Sequence, residues 1–226
     1  WDVVPTVRLT NGARYDHFTD FGSTINPRVG LTLALGPRAD ARLAYGTAFR
    51  APDLVSLYVV QSAAVGGNPD LRPEDAHTAE AGFTLRPDDR VQLSVTLFHT
   101  ELRDLIDQAP AAALYKNLGS ATTKGVELEG RFQLSAHATA HASYAFAEPE
   151  FSGTSTFAIG PRHTGSVVVS APVVPRVRGH LQFYAQSQTL RSSADARPPM
   201  PGYGIVSGSL TAALGPAFDL QVTAAN

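Results

Sequence analysis

Two carboxylates two residues apart, Glu127 and Glu129, come nearest in this sequence to a catalytic spacing. On a strand they stand about 7 Å apart on one face, close to the separation of a glycosidase pair. Arg131 continues that face, which favours a charge network over an acid and a nucleophile. His137 and His141 have the i, i+4 spacing of a helical zinc pair. On a strand the same spacing is roughly 13 Å, too far to share a metal, and no third ligand is nearby. Gly202-Tyr203-Gly204 lacks the third glycine of a dinucleotide fingerprint, and in Gly119–Gly125 the lysine, Lys124, precedes the closing glycine instead of following it. A Gly-x-Ser-x-Gly elbow is also missing. No enzyme, no metal site and no cofactor is expected.

What must position these residues is a set of strands. Val29, Leu31, Leu33 and Leu35 alternate with Arg28, Gly30, Thr32 and Ala34, the period-two pattern of a strand with one apolar face. The same alternation recurs at Leu43–Phe49, Thr78–Leu85, Val91–Phe98, Gly125–Phe132, Ala140–Phe146, Val167–Val169 and His180–Gln186. A first strand is expected over Val3–Asp16, broken by the turn-like Asn11-Gly12, and the last two near Tyr203–Leu214 and Phe218–Ala225. The polar positions carry the charges: Arg42, Glu80, Glu127, Glu129 and Arg131.

These strands number about eleven, mostly about 9–12 residues long, which suits crossing a bilayer at barrel tilt. Long and short connections are expected to alternate strictly. The first link, through Tyr15–Phe21, and the stretches Phe49–Leu71, Leu102–Leu118, Glu148–Pro161 and Arg191–Pro201 are the long ones. Short periplasmic turns opposite longer extracellular loops are the rule of outer-membrane barrels, because every backbone group in hydrocarbon must be paired and the strands therefore run up and down. The expectation is an all-β, partial transmembrane up-and-down antiparallel β-barrel. A passive porin or adhesin barrel shares that architecture, and a soluble secreted β-sandwich is the remaining all-β alternative.

Composition agrees. The 226 residues hold 18 Lys plus Arg and 20 Asp plus Glu, a formal charge of -2, which argues against a general nucleic-acid binder. With 43% apolar residues the overall hydrophobicity is low, as it must be where one face of each strand is wet. Cysteine is absent, so there is neither a disulfide framework nor a thiolate metal site. No apolar run approaches the ~18 residues of a membrane helix. The chain opens directly on Trp1-Asp2-Val3 and stops at Ala224-Ala225-Asn226 within a strand-like pattern, so a piece of a longer protein is expected.

The stretch from Phe49 to Leu71 is too long and too rich in Pro, Gly and Asn for a turn, and such loops in regular β proteins are functional or disordered. It opens on Phe49-Arg50-Ala51-Pro52 and closes on Asn68-Pro69-Asp70-Leu71, extended by Arg72-Pro73-Glu74. These paired boxes resemble those of the TonB-dependent outer-membrane receptors. Asn26–Leu31, Tyr45–Pro52, Glu80-Ala81-Gly82, Tyr115-Lys116-Asn117, Thr123–Glu129 and Val222–Asn226 also resemble segments of that family, in the family's order.

The resemblance implies that residues 1–226 are part of one larger plugged barrel, with the plug, the early strands and the last strand lying outside them. It further implies the outer membrane of a Gram-negative bacterium, contact with outer-membrane lipid, and uptake of a scarce nutrient energised by the TonB–ExbB–ExbD system. Cobalamin or a ferric siderophore is the expected nutrient. A haem receptor of the family would place an iron-ligating histidine between the two boxes, and Asp53–Gly67 holds none. Tyr58, Tyr115, Asn117 and Phe157 are the expected ligand-facing loop residues. Loop geometry accounts equally well for the two boxes, and aromatic girdles at the membrane interface for several of the aromatics.

Overall fold

The computed structural model describes residues 2–61, 65–108, 114–152, 160–191 and 195–226. Its strands are β1 (Asp2–Val4), β2 (Val7–Phe18), β3 (Gly22–Ala34), β4 (Ala39–Arg50), β5 (Val60–Gln61), β6 (Val65–Gly66) and β7 (Glu74–Asp88). There follow β8 (Val91–Gln108), β9 (Tyr115–Ser135), β10 (Ala138–Ser152), β11 (His163–Val174), β12 (Val177–Gln186), β13 (Tyr203–Ala213) and β14 (Asp219–Ala225). One short helix, α1 (Leu54–Tyr58), interrupts them. All except β5 and β6 form one antiparallel sheet in chain order, open at β1 and β14; β5 and β6 pair separately as a ribbon. Eleven of the sheet's twelve strands are long, and the twelfth, β1, has three residues.

Register separates the two faces. On one, Leu31 pairs with Leu43, Leu43 with Ala81, Ala81 with Leu97, Leu97 with Val126 and Val126 with Phe146. The same face runs on through Val167 against Phe183 and Phe183 against Val206. Leu43, Leu97, Leu128, Leu181 and Leu210 on this face are all about half exposed, which in water would be a standing cost and in hydrocarbon is none. The other face is polar. Arg42 lies beside Thr32 and Gly82, and Glu127 beside Thr96. Hydroxyls pair across strands at Thr78–Thr100, Thr84–Ser94 and Ser143–Ser166. Arg131 reaches Glu129 at 3.7 Å, an ion pair on this face that Glu127 does not join among the described contacts.

Several boundaries differ from the sequence-based expectation. Asn11-Gly12 is no turn: both residues lie inside β2, paired with Val29 and Arg28. The pairing overrides local turn propensity, and Gly12 leaves room for the Arg28 side chain, whose Nε would lie 3.2 Å from a Cβ there. The chain turns instead before Val7, and Tyr15–Phe18 continue β2, so the first link is only residues 19–21. Strict alternation fails at that link. The links expected over Leu102–Leu118 and Glu148–Pro161 also shrink, to 109–114 and 153–162, because β8, β9 and β10 continue as paired hairpins past the apolar belt. The strands are correspondingly longer than expected, with 18 residues in β8 and 21 in β9. The four longest links, 51–73, 109–114, 153–162 and 187–202, nevertheless share one rim, because successive strands run in opposite directions. His137 sits in the turn before β10, not on a strand, while His141 is on β10 with its Nε2 buried and unpartnered. Among the described residues no cluster of three metal-ligating side chains occurs.

Candidate functional site

The long rim link builds a small folded unit of its own. Asp53 caps α1: its Oδ1 accepts from the Ser56 backbone N–H at 2.8 Å and its Oδ2 from the Ser56 hydroxyl at 3.0 Å. These bonds, the backbone one foremost, hold the Asp53 carboxyl below its usual range. The helix stops at Tyr58, and the chain returns along it, with Gly67 N–H donating to the Val59 carbonyl and Asn68 N–H to the Ser56 carbonyl. Gly67 is required there, since a Cβ would lie 2.5 Å from the Leu57 carbonyl oxygen.

This return brings the expected box residues together. The Asn68 side chain accepts from the Asp70 N–H at 3.0 Å and donates to the Tyr115 carbonyl at 2.9 Å, tying the second box to the start of β9. Leu71 is 3% exposed and joins Leu57, 1% exposed, and Ile106 in the chief buried apolar cluster, with Tyr115 packed against it. Pro52 is buried, Ala51 half-buried, and Pro69 and Asp70 are exposed. Phe49 leans edge-on to Phe18, whose ring stacks on Phe21 at 4.4 Å.

Arg50 pairs with Glu74 at 2.7 Å. The same Glu74 oxygen accepts from the Ile106 N–H at 2.7 Å, and the residue is buried. Asn117 serves as a second clamp: its side chain accepts from Arg72 N–H and donates to the carbonyls of Arg72 and Asp104. Arg72 and Asp104 add an ion pair at 2.6 Å. Asp104 lies at φ 55, where β8 loses register between Leu102 and Ile106. That irregularity turns Leu105 and Ile106 inward under the link.

Sequence reasoning therefore found one half of each clamp and missed the other. Glu74 stood in the quoted extension of the second box, and its burial was the unread part. Asp104, Ile106 and Leu57 carried no local signal. Of the expected ligand-facing residues, Asn117 and Tyr115 are engaged in holding the link down, Tyr58 is exposed, and Phe157 lies outside the described residues. Desolvation, then the Asp20 carboxylate, hold the Tyr58 phenol above its usual value. Beside Tyr58 the unit leaves Leu54, Val55 and Val60 exposed, Val60 almost completely at 97%. The described residues of the link thus form a shelf docked on the β8–β9 hairpin, with Leu54, Val55, Tyr58 and Val60 exposed on it.

Known proteins resemble this chain in sequence and in fold. The chain is 25% identical over 242 aligned residues to the iron-regulated outer membrane virulence protein of Vibrio cholerae, an alignment covering 95% of this chain and 37% of that protein. It is 31% identical over 125 residues to the vitamin B12 transporter BtuB of Vibrio cholerae, covering 55% of this chain and 20% of that protein. The chain therefore spans well under half the length of these relatives. In fold it is similar to the siderophore receptor PirA of Acinetobacter baumannii, with a TM-score of 0.82 at 15% identity over 98% of this chain and 39% of that one. The model of the β-barrel of TonB-dependent receptor-like proteins matches residues 1–226. An open wall with one apolar and one polar face, a docked shelf on its long-loop rim and this match across the whole chain have one common meaning: the chain belongs to the TonB-dependent receptor β-barrel family of the Gram-negative outer membrane.

Proposed function

We propose that residues 1–226 form part of the barrel wall of a receptor that takes up a scarce nutrient, a ferric siderophore or cobalamin, across the outer membrane. In this reading a plug, the early strands and a final strand complete the barrel, and the TonB–ExbB–ExbD system supplies the energy. The observation that carries it is the rim shelf. A link of this length is fixed at two points to the β8–β9 hairpin, yet it holds Leu54, Val55, Tyr58 and Val60 exposed. Apolar side chains gathered on one exposed rim link offer a surface to an apolar partner, and bulky nutrients of this kind present apolar and aromatic area to it. The names of relatives on both the iron and the cobalamin side support the same class of cargo. The absence of histidine from Asp53–Gly67 weighs against haem.

The test is uptake by cells that lack their own receptors and carry the full-length gene. Labelled cobalamin and a labelled ferric siderophore are supplied separately, with TonB present or deleted. Accumulation of one of them that disappears without TonB is the expected result, and Tyr58→Ala with Val60→Ser should weaken its binding. Uptake that is unchanged without TonB would make the protein a passive barrel. Growth on haem with neither cargo entering would overturn the choice of nutrient.

A further inference from the structure

The apolar face is not uniformly convex. Across β11 to β14 it holds a groove of about 440 Å³. Ala171, Gly179 and Gly208 form its floor, and Leu181, Leu210 and Val222 its walls. Register puts these residues on the lipid side: Gly179 lies between Ala171 and Leu210, and Gly208 opposite Leu181, in line with Val167, Phe183 and Val206. Both glycines bare the backbone, Gly179 between Ala171 and Leu210 and Gly208 between Leu181 and Ala224. The groove lies toward the short-turn end, close to the links 175–176 and 214–218.

We propose that this groove seats one acyl chain of a glycerophospholipid from the periplasmic leaflet, as a specific lipid site on the outer wall. The surroundings name the occupant. The groove is continuous with the lipid-facing belt, and the short turns of such barrels are periplasmic. Water exclusion does not drive the seating, because bilayer tails are as apolar as Leu. What drives it is close contact, since a cleft left unfilled forfeits dispersion on both sides. A head group is provided for as well. The turn 175–176 beside the groove carries Arg176, whereas register places Arg178, opposite Thr211, and Asp219, opposite Ala213, on the polar face. Arg176 is in the turn itself, at the depth of lipid phosphates, where a basic residue attracts anionic head groups.

The geometry also supplies the probe. A Cβ at Gly179 would lie 2.8 Å from the Val173 side chain, so that position does not accept substitution freely. At Gly208 the atoms nearest an added Cβ are 3.5 and 3.7 Å away, ordinary contact, so Gly208→Leu puts bulk into the groove with no clash at its Cβ. Gly165→Leu adds the same bulk to the apolar face near the opposite rim, where a Cβ meets nothing nearer than 3.6 Å.

The experiment is native mass spectrometry of the full-length protein released from bacterial outer membranes in mild detergent, with the retained lipids identified. The wild-type protein and the Gly165→Leu control should keep one glycerophospholipid after the loosely held lipids are stripped. Gly208→Leu should lower that occupancy roughly threefold or more, as contact along the chain is lost. Arg176→Ala should keep the lipid but reduce the preference for anionic over zwitterionic head groups. Equal retention by Gly208→Leu and wild type overturns the proposal. So does lipopolysaccharide as the retained molecule, or a second copy of the protein in place of lipid. Purification of every form without detergent and without lipid would instead refute the assignment of this face to the membrane.

Discussion

The wall and the rim shelf treat the same side chains in opposite ways. Leu43 and Leu97 in the wall are 51% and 56% exposed, whereas Leu57 and Leu71 in the shelf are 1% and 3% exposed. The surroundings differ: the wall stands in hydrocarbon and leaves its leucines to the lipid, while the shelf stands in water and must build a core from a few residues. The wall is held by its ladders, whose bonds are local to each hairpin. The shelf is held by a few side-chain contacts that cross to β8 and β9.

The largest effects should come from exchanging those roles. Leu57→Ala removes the most deeply buried side chain of the shelf and should cost about 2–5 kcal/mol of its local stability. It would be read as faster amide exchange across 53–71. Leu97→Ala in the wall should cost well under that in urea unfolding from bilayers, because lipid refills the space. Equal costs would break the comparison. Leu97→Arg is the converse, a charge placed on the lipid face, expected to cost about 2–4 kcal/mol near the bilayer midplane. Leu54→Arg on the exposed side of the shelf should stay within about 0.5 kcal/mol.

Glu74→Gln keeps the shape of the clamp but removes the charge between Arg50 and the Ile106 N–H. A loss of about 1–3 kcal/mol is expected for a buried acceptor of this kind, seen as exchange at Ile106 while the wall amides stay protected. Asp53→Ala should be milder, about 1 kcal/mol, through the lost cap on α1. Its pH dependence has a fixed sign. The Asp53 carboxyl is held below its ordinary value of 3.8, so the cap is fully present above that value and is lost as pH falls through the lower folded-state pKa. Acid should therefore loosen the shelf only below about pH 4, and the Asp53→Ala protein should lack that step.

Much of the wall was legible because a strand's alternation is local. Leu31, Leu33 and Leu35, or Leu93, Val95 and Leu97, declare a face without reference to any partner. Boundaries were less legible. Asn11-Gly12 has the composition of a hairpin turn, yet strand pairing with Arg28 and Val29 holds it extended. Residues such as Arg103 and Glu150 fall in the expected links, but they belong to hairpins that continue above the lipid, where a paired strand no longer needs an apolar face. The shelf was half legible: its boxes stood out as an unusually long Pro- and Gly-bearing stretch, without any sign of what they hold.

The sequence by itself determined which residues face lipid and which face the interior, that the strands run up and down, and where the longest rim link lies. Those properties follow from the two-residue period and from turn chemistry, each written within a dozen residues. Only the tertiary structure decided that Glu74 meets the Ile106 N–H across 32 positions and that Asn68 meets the Tyr115 carbonyl across 47. The same holds for Gly179 and Gly208, which open one groove only because register sets them on adjacent strands. Such contacts depend on strand register and on the bulge at Asp104, and no local pattern of residue types encodes either.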